Sequence, residues 1–190
     1  MEKQTFKFED IFDLEVLQKL MDSLSQAFEV GIGVRTPSGQ RIIRDSFFHH
    51  FCADFIWQSE EGKRRCQESD QEIISAAYLD SSPYICRCKS GGLTDAGIRI
   101  VIEGVHIATI LVGQVCLEGD RLSEGEYRDI ARNLGVDEEL YLQKIDDHPV
   151  ITQEKFDHIL EALTLIADQL SVLGYNNLHQ QQRIGKLESN

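Results

Sequence analysis

Long apolar runs are missing from this 190-residue chain, and no stretch approaches the roughly 18 to 20 apolar residues that span a bilayer. A membrane is therefore not among the expected partners. Proline occurs only three times and no low-complexity tract is present, which argues against a long internal linker. Positive charge is also scarce. Lys and Arg total 19 against 32 Asp and Glu, a net charge of −13, and no Lys/Arg run longer than three residues breaks the acidic field. Such a field repels a phosphate backbone, so direct nucleic-acid binding by this chain is not expected. Residues 1–10 carry charges where a secretion signal needs an apolar core, and the five cysteines are an odd number. A cytoplasmic, reducing location is the expectation, with thiols that stay free or bind something. Catalytic signatures are absent too: there is no G-x-S-x-G, H-E-x-x-H, P-loop or G-x-G-x-x-G. Gly31-Ile-Gly33 is a lone G-x-G inside a strand pattern and makes no phosphate argument. Nothing pairs a nucleophile with a base, so an enzyme is not expected.

Hydrophobic residues make up 42% and charged residues 27%, as in an ordinary globular chain. Ile11, Leu14, Leu17, Leu20, Met21 and Leu24 recur at helical spacing over residues 9–28. Phe28, Val30, Ile32 and Val34 then alternate like a half-buried strand. Thr36-Pro-Ser-Gly39 turns the chain, and residues 40–44 are expected to return as its hairpin partner. An aromatic-rich stretch leads into a helix over residues 59–79. Residues 84–88, 96–102 and 105–117 read as strands, the last two joined by Glu103-Gly104. Residues 117–161 hold thirteen acidic and five basic side chains. They divide into a helix over 123–133, with Ser123 and Glu126 as a capping box, and a second over 137–145. Thr152 is placed to cap a long last helix striped by Phe156, Ile159, Leu160, Leu163, Ile166, Ala167, Leu170 and Leu173, which Gly174 ends or loosens. Beyond it the polar tail carries Leu178, Ile184 and Leu187, loosely spaced. Two strands, a helical crossover and about three further strands give an α+β expectation: a PAS-like antiparallel sheet with a helical middle and C-terminal helices.

The cysteines are spaced 14, 20, 2 and 28 residues apart, which matches no standard zinc or cluster spacing. Cys52, Cys66 and Cys88 either converge on a site or act as small apolar fillers. His49-His50 is a poor chelate because vicinal side chains diverge. His106 reads as a packed or edge residue, and His148, His158 and His179 as surface residues. Gln114 ends an apolar strand, where its amide must find partners; a pocket ligand and a neighbouring backbone group both suit it.

Phe51-Cys52, Glu61-Gly-Lys-Arg-Arg-Cys66-Gln-Glu-Ser69-Asp70, Pro83-Tyr-Ile-Cys-Arg-Cys88, Gly92-Leu93-Thr-Asp95 and Ile100-Val-Ile-Glu-Gly-Val-His-Ile-Ala-Thr-Ile-Leu-Val-Gly-Gln114-Val115 together resemble the PocR sensory domain. The resemblance covers about residues 8–178. It implies a PAS-like domain that senses small organic molecules, simple hydrocarbon derivatives such as diols included, upstream of a histidine kinase, cyclic-dinucleotide or AraC-type DNA-binding module. The family's motif positions are here Cys52, Cys66, Ser69, Asp70, Cys88, Leu93, Asp95, Gly113 and Gln114. This chain departs from the pattern at Lys89, where the family usually has His; a cation there opens the alternative of an anionic ligand such as a carboxylate. It also has one extra residue before the Gly-Leu pair, and Arg99 in place of a proline.

The expectation is thus a sensory domain over residues 8–174, followed by a polar helical tail over 175–190 that leads toward an output domain. A small organic ligand would sit among Phe51, Cys52, Phe55, Trp57, Cys66, Cys88, Lys89, Asp95 and Gln114, and a homodimer would form through the C-terminal helix. No cofactor is expected. The alternative is a metal or redox sensor that holds zinc or an iron–sulfur cluster on Cys52, Cys66, Cys86 and Cys88.

Overall fold

Local signals set the ends of several elements. Asp13 caps the first helix, α1 (Leu14–Phe28), by accepting from the backbone N–H groups of Glu15 and Val16. The helix stops at Glu29, which takes a left-handed φ of 60°. Ser59 caps α3 (Glu60–Leu79), and the Ser123–Glu126 capping box opens α4 (Glu124–Leu134), which closes on Gly135 at φ 70°. Asp137 caps α5 (Glu138–Asp146). The computed structural model describes residues 8–188, with side chains as far as Ile184; the side chain of Leu187, part of the apolar tail pattern, lies outside those described.

The sheet runs in the order β1 (Gly31–Arg35), β4 (Val105–Leu117), β3 (Thr94–Ile102), β2 (Tyr84–Arg87), all antiparallel. A two-residue strand, β5 (Val150–Ile151), adds a short parallel pair to the end of β4. Sheet and helices together make the α+β architecture expected. The β3–β4 hairpin turns on Glu103 and Gly104, both at positive φ, as a two-residue turn between twisted strands requires.

The sheet has two unlike faces. Ile32, Val34, Ala96, Ile98, Ile100, Ile110 and Val112 face one way and form the main core with Leu17 and Met21 of α1 and Phe156, Ile159 and Leu163 of α6 (Gln153–Glu188). Full burial of each such side chain is worth about 1.5–3 kcal/mol. Gly31, Gly33, Arg35, Asp95, Leu111 and Gly113 face the other way, toward α3 and the short α2 (His50–Asp54). A second core, built on Phe51, Ile56, Tyr127, Tyr141 and Ile145, seats α4 and α5 beside this face.

The structure departs from the sequence reading at several points. The first helix opens at Leu14 and not at residue 9, and Leu173 of the expected apolar stripe is exposed. Residues 40–44 do not form a strand; the return makes only two isolated bridges, Arg35 to Arg41 and Ile32 to Ser46. Its backbone veers because Gln18 of α1 captures it, accepting from Arg44 N–H and donating to Arg44 O. The first strand starts at Gly31, since Phe28 still belongs to α1. Gly174 does not end the last helix: α6 passes straight through it to Glu188. His148 is buried, not a surface residue.

Candidate functional site

A β-bulge sets the geometry of the site. Between Thr94↔Val115 and Ala96↔Val112, two residues of β4, Gly113 and Gln114, oppose the single residue Asp95. Gln114 takes a left-handed φ of 59°. The backbone N–H of Gln114, turned out of the ladder, donates to Asp95 Oδ1 at 2.7 Å. Gly113 makes the approach possible, because a Cβ there would lie 1.9 Å from Asp95 Oδ1.

Above the bulge lies a cavity of about 70 Å³ between the sheet and helices α2 and α3. One water needs about 10–15 Å³, so the space suits a molecule of roughly five to seven heavy atoms. Ile56, Ile73, Leu93 and Leu111 give it apolar walls, and Phe48 and Trp57 form an aromatic corner with ring planes at 90° and centroids 5.8 Å apart. Gly31 and Gly33 leave β1's share of the floor bare.

The polar groups of the cavity are unevenly matched. Arg35 folds back over Gly33 and is buried. Its Nη1 meets Asp45 Oδ1 at 2.6 Å, and its Nε lies 3.6 Å from Asp70 Oδ2. Asp45 is also held by Arg41 at 2.8 Å. Asp95 has no cationic partner among the described residues. It is partly buried against the cavity, and desolvation pushes its carboxyl up to about 7, against the lowering effect of the Gln114 N–H. Desolvation also raises Asp70 to about 6, with Arg35 opposing.

Cys52 of α2, Cys66 in the second turn of α3 and Cys88 just after β2 do converge here. Burial pushes all three thiols up, Cys88 to about 11, so they stay protonated at neutral pH. Among the described residues, no three His, Cys, Asp or Glu side chains gather as a group able to hold a metal ion. Cys86 points off this cluster, packing beside Ile73, Ile74 and Leu111. Trp57 Nε1 is buried without a hydrogen bond of normal geometry, although it lies close enough to Cys66 to favour that thiol's ionised form slightly.

Of the residues expected to form the site, the structure brings Cys52, Trp57, Cys66, Cys88, Asp95 and Gln114 to the cavity. Phe51 sits in the second core against Tyr141, with ring centroids 5.1 Å apart, and Phe55 stacks behind it. Lys89 points away: its Nζ pairs with Glu72 at 2.6 Å on a half-exposed surface. Its backbone N–H is tied to the buried Ser69 hydroxyl, which locks the turn after β2 to α3. Tyr141 holds the same turn from the other side, donating to Gly91 O.

Sequence reasoning left Arg35, Asp45, Phe48 and Ser90 out of the site, and it noted Asp70 only as a motif position. The signal for Arg35 was the strand pattern itself: Gly31, Gly33 and Arg35 share one face, and two bare positions leave room for a long side chain to fold back. His148 was missed as well. Its Nε2–H donates to Gln114 O at 2.7 Å, its ring meets His49 at 4.0 Å, and its Nδ1 is buried with no partner. Gln114 thus serves two sides. Its N–H reaches Asp95, its side-chain Oε1 accepts from His49 N–H at 2.6 Å, and its carbonyl holds His148 just ahead of β5 and α6.

No helix among the described residues is long and apolar enough to cross a membrane. No curated protein and no solved structure matches the chain. A family model does match, described as the sensory domain found in PocR, and it aligns with residues 10–175, from just before α1 into the later turns of α6. With that match over most of its length, the chain belongs to the PocR sensory-domain family.

Proposed function

We propose that this sensory domain binds a small polar organic molecule in the cavity above the Gly113–Gln114 bulge and reports occupancy through α6. The observation that carries the reading is the cavity itself: apolar walls, an aromatic corner, and a few polar groups at its base, the composition of a site that orients a small ligand. Gln114 supplies the route outward. A ligand that moves Asp95 or the bulge also moves the carbonyl that holds His148. Four residues further on, Thr152 caps α6 by accepting from Lys155 N–H. Occupancy would then bias α6 between two arrangements, which requires the ligand to favour one of them.

The output would pass along α6 to a further domain, a histidine kinase or transcriptional regulator in this reading, with a homodimer formed through the same helix. Leu165, Val172, Leu173 and Ile184 leave an exposed apolar stripe on α6, and Val16 and Leu20 of α1 lie exposed on the neighbouring helix. Diols and other simple hydrocarbon derivatives are the ligands that the family resemblance suggests. A thermal-shift screen of wild-type protein against diols, short acids and short amines tests the reading. A saturable rise in Tm with one class supports it, because a ligand that binds only the native state raises apparent stability. No shift with any class rejects it.

The alternative is a cysteine-based metal or redox sensor. Cys86 packs apart from the cavity that Cys52, Cys66 and Cys88 line, so the four thiols do not meet at one point, which opposes a four-cysteine site. Native mass spectrometry of anaerobically purified protein decides it, since bound zinc, iron or a cluster would restore that reading.

A further inference from the structure

We propose that the ligand is a small cation, a protonated amine or amino alcohol of two to four carbons, held by Asp95 and Asp70 against the Phe48–Trp57 corner. The inference rests on the reading of the cavity as the sensory site and adds the ligand's charge.

Three carboxylates line the cavity, Asp45, Asp70 and Asp95, against one guanidinium, Arg35. Arg35 is committed to Asp45 at 2.6 Å and to Asp70 at 3.6 Å, and Arg41 reaches Asp45 from outside the cavity. Asp95 is left with a backbone N–H and the Cys88 thiol as its partners and no cation. A partly desolvated carboxylate without a counter-charge is costly, and an ammonium group placed beside it lowers that cost. A second observation points the same way. Phe48 and Trp57 both line the cavity, and an aromatic face turned toward it attracts a cation that has left water. The net charge of −13 draws cations toward the domain. A carboxylate ligand would face the opposite field, and Lys89, the cation that sequence reasoning offered it, is paired with Glu72 away from the cavity. The size limit of roughly five to seven heavy atoms excludes longer polyamines from full enclosure.

Calorimetric titration and thermal shift with size-matched sets test the proposal: 2-aminoethanol and n-propylamine, ethane-1,2-diol and propane-1,2-diol, glycolate and propionate. Saturable binding of an amine, with diols and acids much weaker, is the expected result. Asp95→Asn, which keeps the shape of the side chain, should then weaken amine binding by about ten- to a hundredfold, the worth of one charged hydrogen bond. A variant that still melts cooperatively shows that the loss is not a loss of fold. Binding of diols or acids in preference to amines overturns the cation inference and leaves the sensory cavity standing. Amine binding that Asp95→Asn does not weaken also overturns it. No binding by any of the three classes overturns the cavity reading and the inference with it.

Discussion

Asp95 Oδ1 accepts the backbone N–H of Gln114 at 2.7 Å across a bulge in which two residues of β4 oppose one of β3. This contact places a carboxylate at the base of a cavity and ties it to β4, whose end pairs with the β5 strand just ahead of the last helix. Its consequences can be measured without knowing the ligand.

Asp95 should make the ligand-free domain less stable as pH rises. Its folded-state carboxyl is raised to about 7, so between the ordinary carboxylate range and about 7 the folded protein holds a proton that the unfolded chain has released. The stabilisation is present in full at low pH and is lost as pH rises through that window. Asp70, raised to about 6, acts in the same direction. Denaturant unfolding of wild type at pH 6 and pH 8 should show the loss, and Asp95→Asn should flatten the dependence. An unchanged pH profile in Asp95→Asn would show that the carboxyl is not buried as described.

His148 should act in the opposite sense. Burial lowers its ring to about 4, and the Gln114 carbonyl only partly opposes this. Stability from the neutral ring is present above the ordinary histidine value of about 6.5 and declines as pH falls from there toward 4, by up to about 1.4 kcal/mol per pH unit. His148→Ala should remove that acid sensitivity and cost about 2–4 kcal/mol at pH 7.5, through the lost packing and the abandoned Gln114 carbonyl. Proton NMR of the His148 ring through the titration gives a direct check.

Gly174→Ala should destabilise the domain, although alanine favours a helix by about 1 kcal/mol over glycine. A Cβ at this position would lie 2.2 Å from Ile102 Cδ1 and 2.7 Å from Phe12 Cζ. Forcing α6 off β3 costs about 1–3 kcal/mol by analogy with other overpacked cores, enough to outweigh the propensity gain. A higher Tm in Gly174→Ala would refute this packing account.

If copies pair through α6, Leu165→Glu combined with Leu173→Glu should convert a dimer into a monomer in light scattering without lowering Tm by more than a few degrees. Both side chains are largely exposed in the single chain, at 61% and 49%, so their loss removes little of its own core. Wild type that is monomeric at high concentration would remove the dimer from the proposal.

The sequence made the elements with local signals readable. Asp13, Ser59, Ser123 with Glu126, and Asp137 each cap a helix through their own side chains, and the Glu103-Gly104 turn needs only two adjacent residues. What stayed hidden depends on contacts distant in sequence. Residues 40–44 carry a strand pattern, but Gln18 of α1, 26 positions away, competes for their backbone. Gly174 carries a breaker's identity, but its role is to let Ile102 and Phe12 close on the helix. His148 looks like a polar residue in an acidic loop, and its burial follows from the bulge carbonyl of Gln114 and the rings of His49 and Phe51. Within the site, motif positions such as Cys66, Asp95 and Gln114 were legible, whereas Arg35, Asp45 and Phe48 meet the cavity only once β1 lies against β4.

The most direct test of the cavity as the ligand site is to fill it. Leu111 lines the space from β4, and Leu111→Phe adds volume there without touching the polar base. Ligand-induced thermal shift should be measured on wild type and on this variant with whichever compound class binds wild type. The account predicts a saturable shift in wild type and its loss in Leu111→Phe, which still melts cooperatively. An undiminished shift in the filled variant would place the ligand elsewhere and contradict the account.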